Sequence, residues 1–336
     1  MTGQLVLVTG VTGFIAGHVA NELLEKGYRV RGRRTTRGAK VKLLTDTVKV
    51  PGLEFAQVDD IAKSDLTEAL NGVHIVMHVA SPLPGRTSVD TTLNSAVEGT
   101  LNVLRQADKA GIEKIVVTSS VAAVLDPSLK QGFDGRILTD SDWGQATRAE
   151  VEAHADSDFY VYGASKIFAE RAVWSFAAEH PKVDIATILP GFVFGPFPKH
   201  FPLPTSPDAM GTNRLPYELI KGGHPEPAPW VVDVRDVAKA HVLAIDLPRA
   251  PLEKKRFLIN SAEYSWKDAV AHLMKARPNV KLAPLDSFEG KSPTLSALDT
   301  TRAREVLKIK QFISPEKTLE DTTDALLEAE KTWKKA

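Results

Sequence analysis

Two rhythms of apolar residues alternate along the chain. Short runs rich in Val, Ile and Leu are bounded by glycine or polar residues, and between them apolar side chains return every three or four positions. The short runs read as buried strands of a parallel sheet. They lie at Val6-Leu7-Val8, Tyr28 to Gly32, Leu53 to Val58, Val73 to Val79, Ile112 to Thr118 and Val183 to Leu189. The longer stretches read as helices. Val19, Ala20, Leu23 and Leu24 share one face after the first strand, and a second helix runs from Ser88 to Ala110, stopped by Gly111. Phe168, Ala169, Ala172, Val173 and Phe176 mark a third helix. Further on, Asp233 caps a helix through Leu247, Arg256 to Asn260 is a short strand, and Trp266 to Ala276 is a helix. Asp299 to Leu307 and Pro315 to Trp333 close the pattern as helices. Strand–helix alternation of this kind predicts an α/β fold, a Rossmann-type doubly wound parallel sheet with a smaller C-terminal substrate-binding lobe.

The first strand–helix junction carries the clearest chemistry. Gly10-Val11-Thr12-Gly13-Phe14-Ile15-Ala16-Gly17 follows the strand and opens the helix. One glycine permits the tight turn, and the second lets the backbone approach a pyrophosphate at the helix N-terminus. Gly10, Thr12, Gly13, Phe14 and Ile15 are therefore candidate cofactor contacts. At the end of the second strand an acidic residue would hold the ribose hydroxyls of NAD, whereas arginine suits the extra phosphate of NADP. No acidic residue occurs between Glu25 and Asp46, and Arg33, Arg34 and Arg37 crowd the segment. Asp60, with Ile61, follows the third strand and is placed to accept from the adenine amino group. Small residues Val79, Ala80 and Ser81 end the fourth strand and would let a cofactor lie close. His74 and His78 lie four apart on that strand without a third ligand at metal-binding spacing, so no metal site is expected.

Hydroxyls end the fifth strand, at Thr118-Ser119-Ser120. Ligands bind at that edge of an open sheet. Tyr162 and Lys166 are four apart on the third helix and so share a face. A lysine beside a tyrosine favours the phenolate and should lower the tyrosine pKa, making a usable proton donor near neutrality. Tyr160 has Ala164, not lysine, four residues on.

Composition narrows the partners. The 336 residues include 42 Lys plus Arg and 42 Asp plus Glu, a balance that gives no reason to expect nucleic acid or a membrane surface. Cysteine is absent, which excludes disulfides and thiolate chemistry. No signal segment and no membrane-spanning run are visible, and a cytoplasmic monomer or homodimer is expected.

Taken together, these motifs resemble an extended short-chain dehydrogenase/reductase, and more narrowly the dihydroflavonol reductase and cinnamoyl-CoA reductase group. The yeast and fungal methylglyoxal and aldehyde reductases of that group are the most similar branch. Gly10, Gly13 and Ala16 match the glycine loop, Ser120 the catalytic serine, and Tyr162 with Lys166 the Tyr-x-x-x-Lys pair. Pro190-Gly191-Phe192-Val193-Phe194-Gly195-Pro196 matches the segment around the nicotinamide. The resemblance implies an NAD(P)H-dependent carbonyl reductase of small hydrophobic aldehydes, ketones or ketoesters. Tyr162 would be the general acid, Ser120 would orient the carbonyl, and Lys166 would hold the nicotinamide ribose and lower the tyrosine pKa. Thr118, Pro190, Gly191 and Val193 would face the cofactor. Pro82, Leu83, Tyr160 and Phe192 would line the substrate pocket, under a proline-rich loop from Phe197 to Pro207. One departure stands out: where this branch carries arginine after the second strand, this chain has Thr35, with Arg34 one residue early and Arg33 two. NADPH is the expected cofactor, with NADH use also open.

The domain boundaries expected are 1–190 for the dinucleotide-binding domain, with 229–252 and 293–311 returning to it. Residues 191–228 and 253–292 would form the substrate lobe and 312–336 the C-terminal helix. Two other functions share parts of this motif set. A sugar-nucleotide epimerase or dehydratase keeps Ser-Tyr-Lys, but its arginine and asparagine anchors after the sixth strand are absent here. A non-catalytic NAD(P)-sensing protein needs only the glycine loop.

Overall fold

The computed structural model describes residues 3–34, 50–81, 88–288 and 294–333. Arg37, Pro82 and Leu83 lie outside these residues, as do the side chain of Arg34 and the departing Thr35. Strand β1 (Leu5–Thr9) is buried throughout and is followed by helix α1 (Phe14–Glu25). Strands β2 (Arg29–Arg34), β3 (Leu53–Gln57), β4 (Ile75–His78), β5 (Lys114–Thr118) and β7 (Asp184–Pro190) join β1 in one parallel sheet. Its spatial order is β10-β7-β5-β4-β1-β2-β3, with β10 spanning Arg256–Ile259. The chain leaves β3, crosses back over β1 and continues on its other side with β4. The β1/β4 boundary is therefore the topological switch point, where a doubly wound sheet opens a crevice at its carboxyl edge.

Helices fill both faces. Helix α1 packs with α7 (Val234–Leu243) on one face, around a core that includes Val6, Val8, Val19, Leu23, Val237 and Phe257. Helices α3 (Val89–Lys109) and α5 (Asp158–Glu179) pack with each other on the opposite face, which buries Leu7, Val103, Ile115, Val173 and Ile185. Short helices α2 (Thr67–Leu70) and α4 (Arg148–Ala153) lead into these layers, and strand β6 (Ile137–Leu138) lies between β5 and α4. The expected strands are all present, with ends moved by one or two residues. Ser88 caps α3 and accepts from Thr91 N rather than beginning the helix.

A smaller mixed sheet stands beside the large one. It contains β8 (Phe192–Phe194), β9 (Trp230–Asp233) and β11 (Ala262–Glu263), in the order β11-β9-β8. The sequence pattern did not mark β8 or β11, because two or three residues carry no periodicity. Helices α6 (Arg214–Ile220), α8 (Trp266–Ala276) and α10 (Pro315–Trp333) gather around Leu219, Val270, Leu273, Leu319 and Leu326. Residues 256–259 belong to the large sheet and not to the lobe expected from the sequence, because their apolar run pairs in parallel with β7. Residues 230–233 conversely enter the small sheet, ahead of α7, which packs on α1. Strand β12 (Ala297–Leu298) pairs with β6, and α9 (Thr301–Val306) follows it.

Candidate active site

The glycine loop is built by steric necessity. Gly10 has φ +70°, and a Cβ there would stand 3.0 Å from Ala80 Cα. The end of β1 thus touches the segment after β4, and only glycine fits. Gly13 is the N-cap of α1 and supplies no side-chain cap, so first-turn amides remain free for an anion. Thr9 fixes the other side of the turn. Its Oγ1 accepts from the N–H of Val79 and of Ala80, each at 3.0 Å. Thr12 is exposed, and Phe14 and Ile15 are half-buried against the core.

The histidines before and at the end of β4 have structural partners. Val79 N–H and Ala80 N–H occupy the Thr9 oxygen, so its hydroxyl donates to His78 Nδ1 at 3.0 Å. His78 Nε2–H then donates to Thr100 Oγ1 at 3.2 Å, and Thr100 donates to Ala96 O at 2.8 Å. Burial, with lesser contributions from Lys166 and Arg33, lowers the His78 pKa to about 3, so the ring is neutral. His74 precedes β4 and is exposed, and its Nδ1 accepts from Leu5 N. The His74 ring is thus exposed and the His78 ring buried, and among the described residues no three metal-ligating side chains gather.

At the end of β2, Gly32 packs under the glycine loop, where a Cβ would stand 2.5 Å from Val11 Cγ1. Arg33 follows at this edge. Its Nη2 donates to Asp59 O at 3.0 Å, while its Nε is buried without a hydrogen-bond partner. Burial lowers its pKa, opposed by the carboxylates of Asp60 and Asp59. Arg31 is committed elsewhere, to Glu54 and to the carbonyls of Ala69 and Asn71. Asp60 is exposed and makes a turn, its Oδ1 accepting from Ala62 N at 2.9 Å. Ile61 is tied to α3 by Asn102, which donates to its carbonyl at 2.8 Å.

Helix α5 brings up Tyr162 and Lys166. Ser157 caps the helix by accepting from Tyr160 N, and the chain then turns Phe159, Tyr162 and Lys166 onto one side at helical spacing. Lys166 is buried and its Nζ donates to Ser81 Oγ at 2.9 Å. The same ammonium lies 5.5 Å from the centroid of the Tyr162 ring. Ser120 stands at the edge of β5 in extended conformation and caps a 3-10 turn, accepting from Ala122 N at 3.2 Å. That bond uses an oxygen lone pair and leaves the O–H free to donate. Thr118 is not free in this way, since its hydroxyl donates to His241 Nε2 at 2.7 Å while His241 Nδ1–H donates to Val237 O. Burial lowers the His241 pKa to about 4.

The nicotinamide-side segment runs from β7 into β8. Gly191 N donates to Ile259 O, and a Cβ on Gly191 would meet Asn260 Oδ1 at 2.8 Å and Trp230 Cβ at 3.0 Å. Pro190 ends β7, Val193 is buried, and the half-buried Phe192 stacks on Phe159 with ring centroids 6.5 Å apart. Phe159 in turn lies 6.2 Å from Tyr162. Tyr160 is directed elsewhere: it stacks on His154 at 4.2 Å and packs in a satellite cluster with Leu93 and Val151. Positions 160 and 162 are about 200° apart around a helix, so they face opposite ways. Phe159, and not Tyr160, is the α5 ring beside Phe192. The helical spacing 159, 162, 166 was the available signal.

Residues 6–259 match the model of the NAD dependent epimerase/dehydratase family. The chain belongs to this family. Within it, it is an extended short-chain dehydrogenase/reductase of the fungal aldehyde and ketone reductase kind. It is 37% identical over 294 residues to an uncharacterised oxidoreductase of Schizosaccharomyces pombe, covering 83% of this chain and 84% of the other. It is 31% identical to aldehyde reductase 2 of Sporidiobolus salmonicolor, over 91% of this chain and 90% of that protein. A solved structure, yeast methylglyoxal/isovaleraldehyde reductase Gre2 complexed with NADPH, superposes with a TM-score of 0.83 at 27% identity. That match covers 98% of this chain and 99% of the yeast chain. Lys166 meets Ser81 after β4, Tyr162 lies beside Lys166 on α5, and Ser120 follows β5.

The proline-rich loop expected over the substrate end packs its first residues on α1. Phe197 meets the Phe14 ring edge-on at 6.1 Å, His18 Nε2–H donates to Pro196 O at 2.9 Å, and Asn21 Nδ2 donates to Lys199 O at 3.0 Å. Gly17 makes room, since a Cβ there would stand 2.7 Å from Pro198 Cγ. Among the described residues no helix is long and apolar enough to cross a membrane.

Proposed function

We propose that the protein is an NADPH-preferring carbonyl reductase that converts small hydrophobic aldehydes, ketones or ketoesters to alcohols. The observation that carries this reading is the closure of one crevice by two independent elements. Lys166 on α5 bonds Ser81 after β4, and the neighbouring Ala80 touches Gly10 of the glycine loop. The cation, the tyrosine and the open helix N-terminus thus flank a single site. The uncapped α1 amides and the Gly10–Ala80 contact suit a pyrophosphate, so the residues fit a dinucleotide. The solved yeast relative binds NADPH, which supports the same choice here. The bound dinucleotide supplies the hydride.

The chain's own groups do the rest. The free Ser120 O–H donates to the substrate's carbonyl oxygen and orients it. Tyr162 gives its phenolic proton to that oxygen as the general acid. Lys166 exchanges Ser81 for the nicotinamide ribose hydroxyls, and its charge stabilises the phenolate left on Tyr162. Phe159 and Phe192 offer apolar ring faces beside Tyr162, suited to compact hydrophobic substrates. Arg33, with its unpartnered Nε, is the candidate for the 2′-phosphate. Phenylalanines at 192 and 194 leave a nucleotide sugar without polar anchors, so the epimerase reading is not favoured.

Turnover of aryl ketones, ketoesters and aldehydes, measured with NADPH and with NADH in the parent and in Arg33→Ala, tests this function. An arginine–phosphate contact is worth roughly 1.5–3 kcal/mol, about ten- to a hundredfold in affinity. The parent is expected to prefer NADPH by kcat/KM, and the variant to lose that preference while keeping its NADH activity. Activity on a nucleotide sugar with no carbonyl turnover would overturn the assignment. A preference untouched by removing Arg33 would overturn the clamp.

A further inference from the structure

Glu170 is a buried carboxylate with no part in the proton and hydride steps above. It lies one helical turn beyond Lys166 on α5 and is 2% exposed. Ser119 Oγ donates to its Oε2 at 2.6 Å. Arg256, from β10 and fully buried, donates Nε–H to Oε1 at 2.9 Å and Nη2–H to Oε2 at 3.2 Å. The remaining guanidinium hydrogens go to the carbonyls of Ala123, Asp140 and Asp142. All five arginine donors are therefore used. The Trp143 ring covers the guanidinium with its centroid at 3.9 Å.

The partners of this pair have a common location. Ala123, Asp140, Asp142 and Trp143 all belong to the segment that begins at Ser120, and Ser119 is its immediate neighbour. Ser120 has φ −161° and ψ 153°, so the backbone is extended and successive side chains face opposite ways. Ser119 points inward to Glu170, and Ser120 is left to face the crevice. Ser119 N–H is also held, donating to Ile188 O at 2.8 Å. Tyr162 and Lys166 come from α5, whereas Ser120 comes from the end of β5. Glu170 is the side chain through which α5 grips the residue beside Ser120. Lys166, Glu170 and Ser119 also line one cavity of about 20 Å³ with Ser81, room for a single water.

We propose that Glu170 and Arg256 are positioning residues for the carbonyl-orienting serine. They act through Ser119 and fix Ser120 relative to Tyr162 and Lys166. The inference rests on the reading of Ser120 as the donor to the substrate carbonyl. Removing Glu170 or Arg256 would strand a buried charge, so the link is tested at Ser119, where loss of a hydroxyl leaves the ion pair intact.

The experiment compares kcat, ketone KM and the NADPH dissociation constant in the parent, Ser119→Ala, Ser120→Ala and the double variant. Misplacing a reacting group by a fraction of an ångström costs about tenfold or more in rate. Ser119→Ala is expected to lower kcat about tenfold, with KM and NADPH binding within about twofold of the parent. In the Ser120→Ala background the same change should cost nothing further, because the group being positioned is gone. Losses that multiply in the double variant, or an unchanged kcat in Ser119→Ala, would overturn the positioning role. Parental turnover in Ser120→Ala would instead overturn the reading of Ser120 itself.

Discussion

Single side chains in this molecule are assigned by what their hydrogen bonds leave over. His78 and His241 sit beside the crevice and have the residue type of a proton carrier, yet both are enclosed by partners that define a neutral ring. His78 accepts at Nδ1 from Thr9 and donates at Nε2 to Thr100, and His241 does the reverse, donating at Nδ1 to Val237 O and accepting at Nε2 from Thr118. Ser120 differs, because its single bond leaves a donor free. The two histidines are therefore expected to stay neutral in the folded protein at pH 5, with opposite tautomers, in long-range proton–nitrogen spectra. Their folded pKa values, about 3 and about 4, lie below the unfolded value of 6.5. Between those limits the unfolded chain binds more protons, so this contribution to stability is complete above about pH 6.5 and falls as the pH drops. Each histidine costs about 1.4 kcal/mol per pH unit well inside that window. Urea midpoints that hold constant from pH 7 to pH 4.5, or imidazolium signals at pH 5, would contradict the buried neutral assignment. The sequence placed His78 on a strand but gave no view of its partners, since Thr9 and Thr100 are 69 and 22 residues away.

At the scale of elements, the first helix serves two loops. Its N-terminus is left open for an anion, and its second turn receives the segment after β8. Gly17 was legible as a small residue beside the third small position of the motif, but the object that approaches it, Pro198, is far along the chain. The first residues of 197–207, expected over the substrate end, meet α1 for that reason. Gly17→Ala would force a Cβ within 2.7 Å of Pro198 Cγ, although alanine favours the helix itself. Overpacking of this kind costs about 1–3 kcal/mol. The variant is expected to unfold at lower urea and to bind NADPH less tightly, because the displaced loop also contacts Phe14. A variant as stable as the parent would show that this loop yields without cost. Elsewhere the element ends follow local chemistry: Asp233 caps α7 and also pairs with Arg235, which reaches Asp321 of α10. The cap was visible in the sequence, whereas its link to the C-terminal helix was not.

The whole molecule follows from a parallel sheet whose strand order reverses between β1 and β4, placing the glycine loop, Ser120 and the α5 helix at one carboxyl edge. This much was legible, because buried strands, a glycine turn and a Tyr-x-x-x-Lys pair are local patterns. The small mixed sheet was not legible, since its strands are short and are held by pairing between distant segments. Phe159 rather than Tyr160 is the α5 ring that meets Phe192, because helical phase and not residue type decides which side of the helix a ring faces. The central claim is that Tyr162 delivers the proton to a carbonyl reduced in this crevice. Its most direct test is single-turnover oxidation of bound NADPH by an aryl ketone, in the parent and in Tyr162→Phe, with the NADPH dissociation constant measured for both. Loss of a general acid costs about 10²–10⁴-fold, so the variant should bind NADPH as the parent does and reduce the ketone at least about a hundredfold more slowly. Ketone reduction by Tyr162→Phe at near-parental rate would contradict the account.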